Sequence, residues 1–436
     1  MVINVDLNTE ENPKDASLNN PPKLSIKNRI RNKFRIWKAG FSKMPSSHKL
    51  IILLLISLIG GLSSIALIYG YVIITTPGHK TIDTSYKLLK VENIKQASLL
   101  QELPPPPEIK DQENPINGEL YTKKDFEELK KKRPLFVVIE NHPDARPQAG
   151  LLDADLVYET LVESGITRFA AVFWGKEAEK VGPIRSLRTY FLDWSSEYND
   201  PPVCNIGQAG YEPWEDVIDP DADARSYIQK YNIKSYSWYG RGVFWRDTEK
   251  FNKGIAWEHV AYSETKTLWT DAETLGWTGP STIEPLKFKK DASKESRSLT
   301  QEISIEFLNL SSESYKVNWV YDKDSNTYLR YLAGKPHIDE NYNKQITVKN
   351  IIIQHVPYRS TGDKNGRIVF TTIGSGKADI FLDSKQITGT WKKDSRTTRT
   401  KFLNDEGKEI PLNRGLIWIE IVPVSGNSDL SNIVIK

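Results

Sequence analysis

Three short polar clusters hold the residues of this chain best suited to bind or to react. The first, Glu140-Asn141-His142-Pro143-Asp144-Ala145-Arg146-Pro147-Gln148, directly follows the apolar run Pro134 to Glu140. Polar side chains at the carboxyl end of a buried strand are well placed to face a ligand crevice. The competing arrangement is a turn in which Asn141 and Asp144 satisfy the backbone and Arg146 pairs with Asp144. The second cluster is Gly182-Pro183-Ile184-Arg185-Ser186-Leu187-Arg188-Thr189-Tyr190. If a helix opens at Ser186, Arg185 and Arg188 lie near its amino terminus, where guanidinium forks and free N–H groups suit phosphate or carboxylate. The alternative has them bridging to Asp153, Asp155, Glu159 or Asp193. The third cluster, Trp257 to Ser263, offers His259, either as a ligand or as a satisfied structural histidine. The candidate ligand-binding residues are therefore Asn141, His142, Asp144, Arg146, Asp155, Arg185, Arg188 and His259.

Other chemistries find little support. The sequence has no Gly-rich phosphate loop, no HExxH, no G-x-S-x-G elbow and no Cys/His metal cluster. Cys204 is the only cysteine, so no internal disulfide is possible, and with no His partner nearby in sequence it reads as a buried structural thiol. Glu159 and Glu163 stand four apart, a helical spacing that reads as solvated surface rather than a glycosidase pair.

The elements that must position these clusters fall into two domains of α+β class. Pro134 to Glu140 is a continuous apolar strand ended by the turn at Asn141 to Asp144. Ala154 to Glu163 and Thr167 to Trp174 are further elements, and a mixed α/β domain covers 117–282. A charged, Lys/Ser-rich linker covers 283–302. From 303 to 436 short alternating strands predict a mainly antiparallel β domain, with strands at 303–308, 315–321, 328–332, 346–355, 368–372, 378–382, 385–392 and 416–422.

Upstream, Leu50 to Thr75 contains no charged side chain and is long enough for one transmembrane helix with some tilt. The segment from Lys23 to Lys49 carries Lys and Arg with no Asp or Glu, so positive residues place the tail 1–49 in the cytoplasm and everything after the span outside. The apolar core is too long for a cleaved signal peptide, and no cleavage site stands out. The expected topology is a single-pass anchor in the cell membrane, followed over 76–116 by a stalk stiffened by Pro104-Pro105-Pro106-Pro107. With 59 basic against 56 acidic residues the net charge is +3, which argues against a nucleic-acid partner. An exported chain without disulfides suits a Gram-positive-type envelope, and some of the 12 Trp and 19 Tyr are expected on a binding surface.

The stretches RPLFVVIENHPDARPQAGLLDADLVYETLVESGITRFAAVFW and KVGPIRSLRTYFLDWSSEYN resemble the amino-terminal domain of the YerB-like bacterial surface proteins. YLRYLAGKPHIDE and GSGKADIFLDSKQITGTWKKDSRTTRTKFLNDEGKEIPLNRGLIWIEIVP resemble that family's carboxyl-terminal domain. The resemblance covers about 117 to 424 and implies a two-domain extracytoplasmic protein, mainly of Gram-positive bacteria, whose molecular activity is not established. Many members look like lipoproteins, whereas this chain carries an apolar span and no lipobox cysteine. The order of strand, Asp-x-Arg loop, second strand pair and Pro-x-Arg segment is also similar in layout to the LytR-CpsA-Psr ligases of cell-wall polymers. That analogy implies Asp144 and Asp155 on Mg²⁺, with Arg146, Arg185 and Arg188 on a lipid pyrophosphate.

Two functions follow as expectations. One is a non-enzymatic envelope module that binds peptidoglycan, another cell-wall polymer, or a wall-synthesis or division partner, with no cofactor. The other is a phosphoryl or glycopolymer transferase acting on lipid-linked wall precursors with Mg²⁺. The residues leave open whether the protein is an enzyme.

Overall fold

The computed structural model describes residues 108–210, 219–237, 242–308, 312–426 and 428–436. The expected tail, membrane span and most of the stalk lie outside these residues. Among the described residues no helix is long and apolar enough to cross a membrane.

Strands Leu135–Glu140, Leu156–Leu161 and Thr167–Phe173 are buried at every position. Continuous runs of this kind form where both faces of a sheet are covered. Thr167–Phe173 lies between the other two and runs antiparallel to both. The sheet does not stop at the first domain. Ile417–Ser425 pairs in parallel with Leu156–Leu161 on one side and with Asn350–Ser360 on the other. Gly374–Leu382, Lys385–Lys393 and Lys401–Leu403 continue it antiparallel to its far edge. Strands from both halves of the chain thus make one mixed sheet of eleven described strands.

Each face has its own cover. Tyr158 stacks on Trp194 of the short helix Thr189–Ser195, with ring centroids 5.3 Å apart. Its neighbour Glu159 points the other way, as strand alternation requires, and meets Arg330 on a second, antiparallel sheet. That second sheet is built on Thr327–Leu332, Val317–Asp322, Glu302–Glu306 and Asn432–Ile435. Trp319 from it packs edge-on against Trp418 of the large sheet, 5.5 Å between centroids. The strands expected from 303 onward are present, several of them longer than expected.

Three local expectations change. Glu159 sits in a strand and Glu163 in a 3-10 turn, so the pair shares no helical face. Residues 110–113, expected in the stalk, form a strand against Leu120–Thr122. Phe288–Lys289, in the expected linker, pairs with Leu412–Asn413.

Candidate functional site

The carboxyl end of Leu135–Glu140 is where the candidates meet. Alternation sends the side chains of Glu140 and Asn141 to opposite sides, and each founds a separate polar system.

On Glu140's side, its Oε2 lies 2.8 Å from His259 Nδ1 and its Oε1 lies 3.0 Å from Arg185 Nε. A carboxylate can only accept, so His259 carries a hydrogen on Nδ1, and the neutral ring has its lone pair on Nε2. The His259 ring stacks on His142, with centroids 4.6 Å apart and planes 6° from parallel. His142 Nδ1 accepts the Asp144 backbone N–H at 3.2 Å, fixing the 3-10 turn Pro143–Ala145. Asp144 Oδ2 lies 3.7 Å from the same nitrogen. The Arg185 Nε–H is not aimed at Glu140, and among the described residues no acceptor faces its remaining N–H groups. Arg185 is held in place by its backbone, whose N–H donates to Val138 O at 3.0 Å while Ile184 N donates to Ala261 O at 2.7 Å. Beside these groups, Trp257 begins the 3-10 turn that carries His259. Trp245, Phe251 and Trp257 are 40%, 44% and 50% exposed. Phe251 meets Trp257 edge-on at 5.1 Å, and the Arg246 guanidinium lies 5.0 Å from the Trp257 ring centre. Phe251, Trp257, two guanidinium groups and the His142 imidazole therefore lie around one open face, while Trp245 alternates with Arg246 and packs instead on Tyr262 near Lys180.

On Asn141's side everything is sealed. Arg330, fully buried, donates to Glu159 at 2.5 Å and to Glu420 at 3.3 Å. Its guanidinium also lies 4.6 Å from the Trp418 ring and 5.0 Å from Trp319. Arg330 Nε donates to His337 Nδ1 at 2.9 Å, which leaves His337 Nε2–H to donate to Gln148 Oε1 at 2.7 Å. Gln148 donates to Asn141 Oδ1 at 3.0 Å, and Asn141 Nδ2 donates to Thr167 at 2.7 Å and to Glu159 at 3.3 Å. The hydrogen bonds close a ring back to the carboxylate where they began. One guanidinium balances one charge, and the Glu420 carboxyl is pushed well above the usual range, first by burial and then by the Glu159 charge. Burial, followed by the Arg330 charge, pushes the His337 imidazole well below its ordinary value and keeps it neutral.

Arg146 does not pair with Asp144. It donates to Asn141 Oδ1 at 3.2 Å and to Asn141 O at 2.9 Å, and it lies over the Tyr315 ring. The helix expected at Ser186 begins at Thr189, because Ile184 and Leu187 are held in bridges to Ile139 and Gln208. Arg188 turns into a two-pronged pair with Glu163, both bonds 2.6 Å. Asp155 lies at the other end of the sheet. Its carboxylate accepts from Asn114 at 3.0 Å, Asn117 and Trp174 at 2.6 Å and Gly175 at 2.9 Å, and burial raises it to about 6. Asp144 and Asp155 are thus about 20 Å apart by strand rise and share no site. Cys204 is buried, which raises its thiol well above the ordinary value.

Sequence reasoning missed Glu140 as the residue joining His259 to Arg185, and it missed the whole Glu159–Arg330–Glu420 system. Only the high Trp content hinted at the open aromatic face.

Fold and site together define a two-domain α+β protein whose domains share a sheet and whose candidate site opens at the end of an amino-terminal strand. Residues 121–278 match the family described as "Protein of unknown function (DUF3048) N-terminal domain", and residues 305–419 match its C-terminal domain. The chain is 29% identical over 317 residues to "Putative lipoprotein YerB" of Bacillus subtilis (strain 168), covering 72% of this chain and 88% of that protein. A crystal structure of the YerB protein from Bacillus subtilis superposes with a TM-score of 0.61 at 27% identity, covering 74% of this chain and all of that one. The chain belongs to the YerB-like family.

Proposed function

We propose that this chain is a membrane-tethered, extracytoplasmic binding module that captures an anionic cell-envelope polymer on the open face around Trp257. The relative named as a lipoprotein supports an extracytoplasmic, membrane-associated setting. The uncharged run Leu50 to Thr75 and its basic flank support a single span with the amino terminus inside. The observation that carries the binding role is the exposed pair Phe251 and Trp257 beside Arg185 and Arg246. Exposed aromatic surface rimmed by charge marks an interaction site. Flat rings suit the C–H faces of sugars, and guanidinium groups suit phosphate or carboxylate on the same polymer.

The transferase reading draws less support. Its two metal-holding aspartates stand at opposite ends of the sheet, and Arg188 is occupied by Glu163.

The test is sedimentation of the detergent-purified full chain with isolated sacculi. Binding should weaken at least tenfold in the double variant F251A/W257A and on removal of anionic polymer from the wall. Equal retention of variant and parent would overturn the proposal.

A further inference from the structure

We propose that His142, Asp144 and His259 form a binding site for a zinc-class divalent metal ion, with Glu140 as the positioning carboxylate behind His259. One donor atom from each of the three residues lies within 4.8 Å of the others. Two imidazoles and a carboxylate are the ligand types that late first-row divalent ions favour.

Three features distinguish this cluster from a chance gathering of polar side chains. Metal-ligating histidines are oriented by a carboxylate on their other nitrogen, and Glu140 Oε2 holds His259 Nδ1 at 2.8 Å, leaving the Nε2 lone pair for a ligand role. His142 Nδ1 is the unprotonated nitrogen, since it accepts the Asp144 N–H across a long 3.2 Å bond that a metal ion would replace, and it lies 3.7 Å from the Asp144 carboxylate. The two rings arise from different turns, and their parallel stack places both imidazole edges beside the same aspartate.

Donors about 2.0 to 2.1 Å from a tetrahedral ion stand about 3.3 Å apart, so the cluster reaches binding geometry through modest side-chain rotation. Half-exposed His142 and exposed Asp144 have that freedom, while buried His259 is fixed. Nearby charge is mixed, since Glu140, Asp144 and Glu258 offset Arg185 and Arg246. Three protein ligands on a tetrahedral ion leave one position for water or an anionic oxygen. The site stands on its own geometry and does not depend on the polymer reading.

The contrast with His355 is instructive. Its Nδ1 lies 2.7 Å from Asp429 and its Nε2 lies 3.2 Å from Asp379, so carboxylates hold both nitrogens, whereas His142 Nδ1 is engaged only by a 3.2 Å backbone N–H.

The experiment uses the full chain in detergent, stripped with EDTA and then titrated with Co²⁺ and Zn²⁺. The expected result is one ion per chain, with a Co²⁺ absorption band of tetrahedral intensity that zinc displaces. H142A and D144A should each weaken zinc binding at least tenfold, and E140Q should weaken it about 10- to 100-fold. His142 and Asp144 are not buried, so both variants should stay folded in EDTA and melt within about 5 °C of the parent, which separates lost ligation from lost folding. Absence of stoichiometric metal on the folded parent, or an unchanged zinc affinity in H142A and D144A, would overturn the proposal.

Discussion

Glu140 and Asn141 are neighbours at the end of one strand, and the polar systems they found have opposite designs. Around Asn141 the charges are buried, the N–H donors of Arg330, His337, Gln148 and Asn141 have fixed acceptors, and the groups come from both family domains. Around Glu140 the groups come from the first domain alone, Arg185 keeps N–H groups free of acceptors among the described residues, and aromatic rings lie open to solvent. A buried polar network that is fully satisfied fixes structure, and breaking it is costly. Partly unsatisfied groups at an open face are available to a ligand. One strand end therefore joins the two domains on one side and presents a site on the other.

The largest expected effect breaks the sealed side. R330A leaves Glu159 without its cation in a dry interior, so stability should fall by about 3 to 5 kcal/mol, read as the shift in urea midpoint. R246A, whose guanidinium lies on the Trp257 ring at the open face, should change stability by less than about 1 kcal/mol. Comparable losses in the two variants would erase the distinction.

A medium effect comes from pH. His337 is neutral when folded, so below about 6.5 the unfolded chain binds a proton that the folded chain does not, and its contribution is lost as pH falls. Glu420 behaves oppositely. Its carboxyl is raised when folded, so above about 4.5 the folded chain keeps a proton that the unfolded chain releases, and its contribution is lost as pH rises. Between these values the two slopes cancel. E420Q should uncover a stability that rises with pH across the window, and H337Q one that falls, each by about 1.4 kcal/mol per pH unit. Urea midpoints at pH 4.5, 5.5 and 6.5 decide it, and parallel slopes in the two variants would be incompatible with the network.

The smallest effect belongs to the aromatic face. F251A/W257A should cost stability only on the scale of surface changes, about 0.5 kcal/mol per site. A larger loss of melting temperature would mean that these rings support the fold rather than a ligand.

Much of the first system was legible locally. The apolar run before Asn141, the turn at Pro143 and the candidates His142 and Asp144 all come from adjacent residues, and the carboxyl-terminal strands announce themselves by alternation. His259 was nominated without its partner, since nothing in Trp257 to Ser263 indicates that its ring reaches Glu140. Arg330 and Glu420 carry no local signal. They lie in short alternating strands, where a charged residue ordinarily faces water, and only the stacking of the second sheet buries them. The misplaced helix start has a similar cause, because Ile184 and Leu187 bond to distant backbone that propensity cannot see.

The insertion of Ile417–Ser425 beside Leu156–Leu161 has a consequence for how the chain becomes a protein at all. The amino-terminal domain emerges first, yet its edge strand Leu156–Leu161 has no partner on that side until nearly the whole polypeptide has been made. Well over half the chain must be held, without mispairing an apolar edge, before the sheet can close. Contacts this remote in sequence make folding slow and leave strand edges open to aggregation. The first family domain is accordingly half of a cooperative unit, and its maturation is set by the arrival of the last strands.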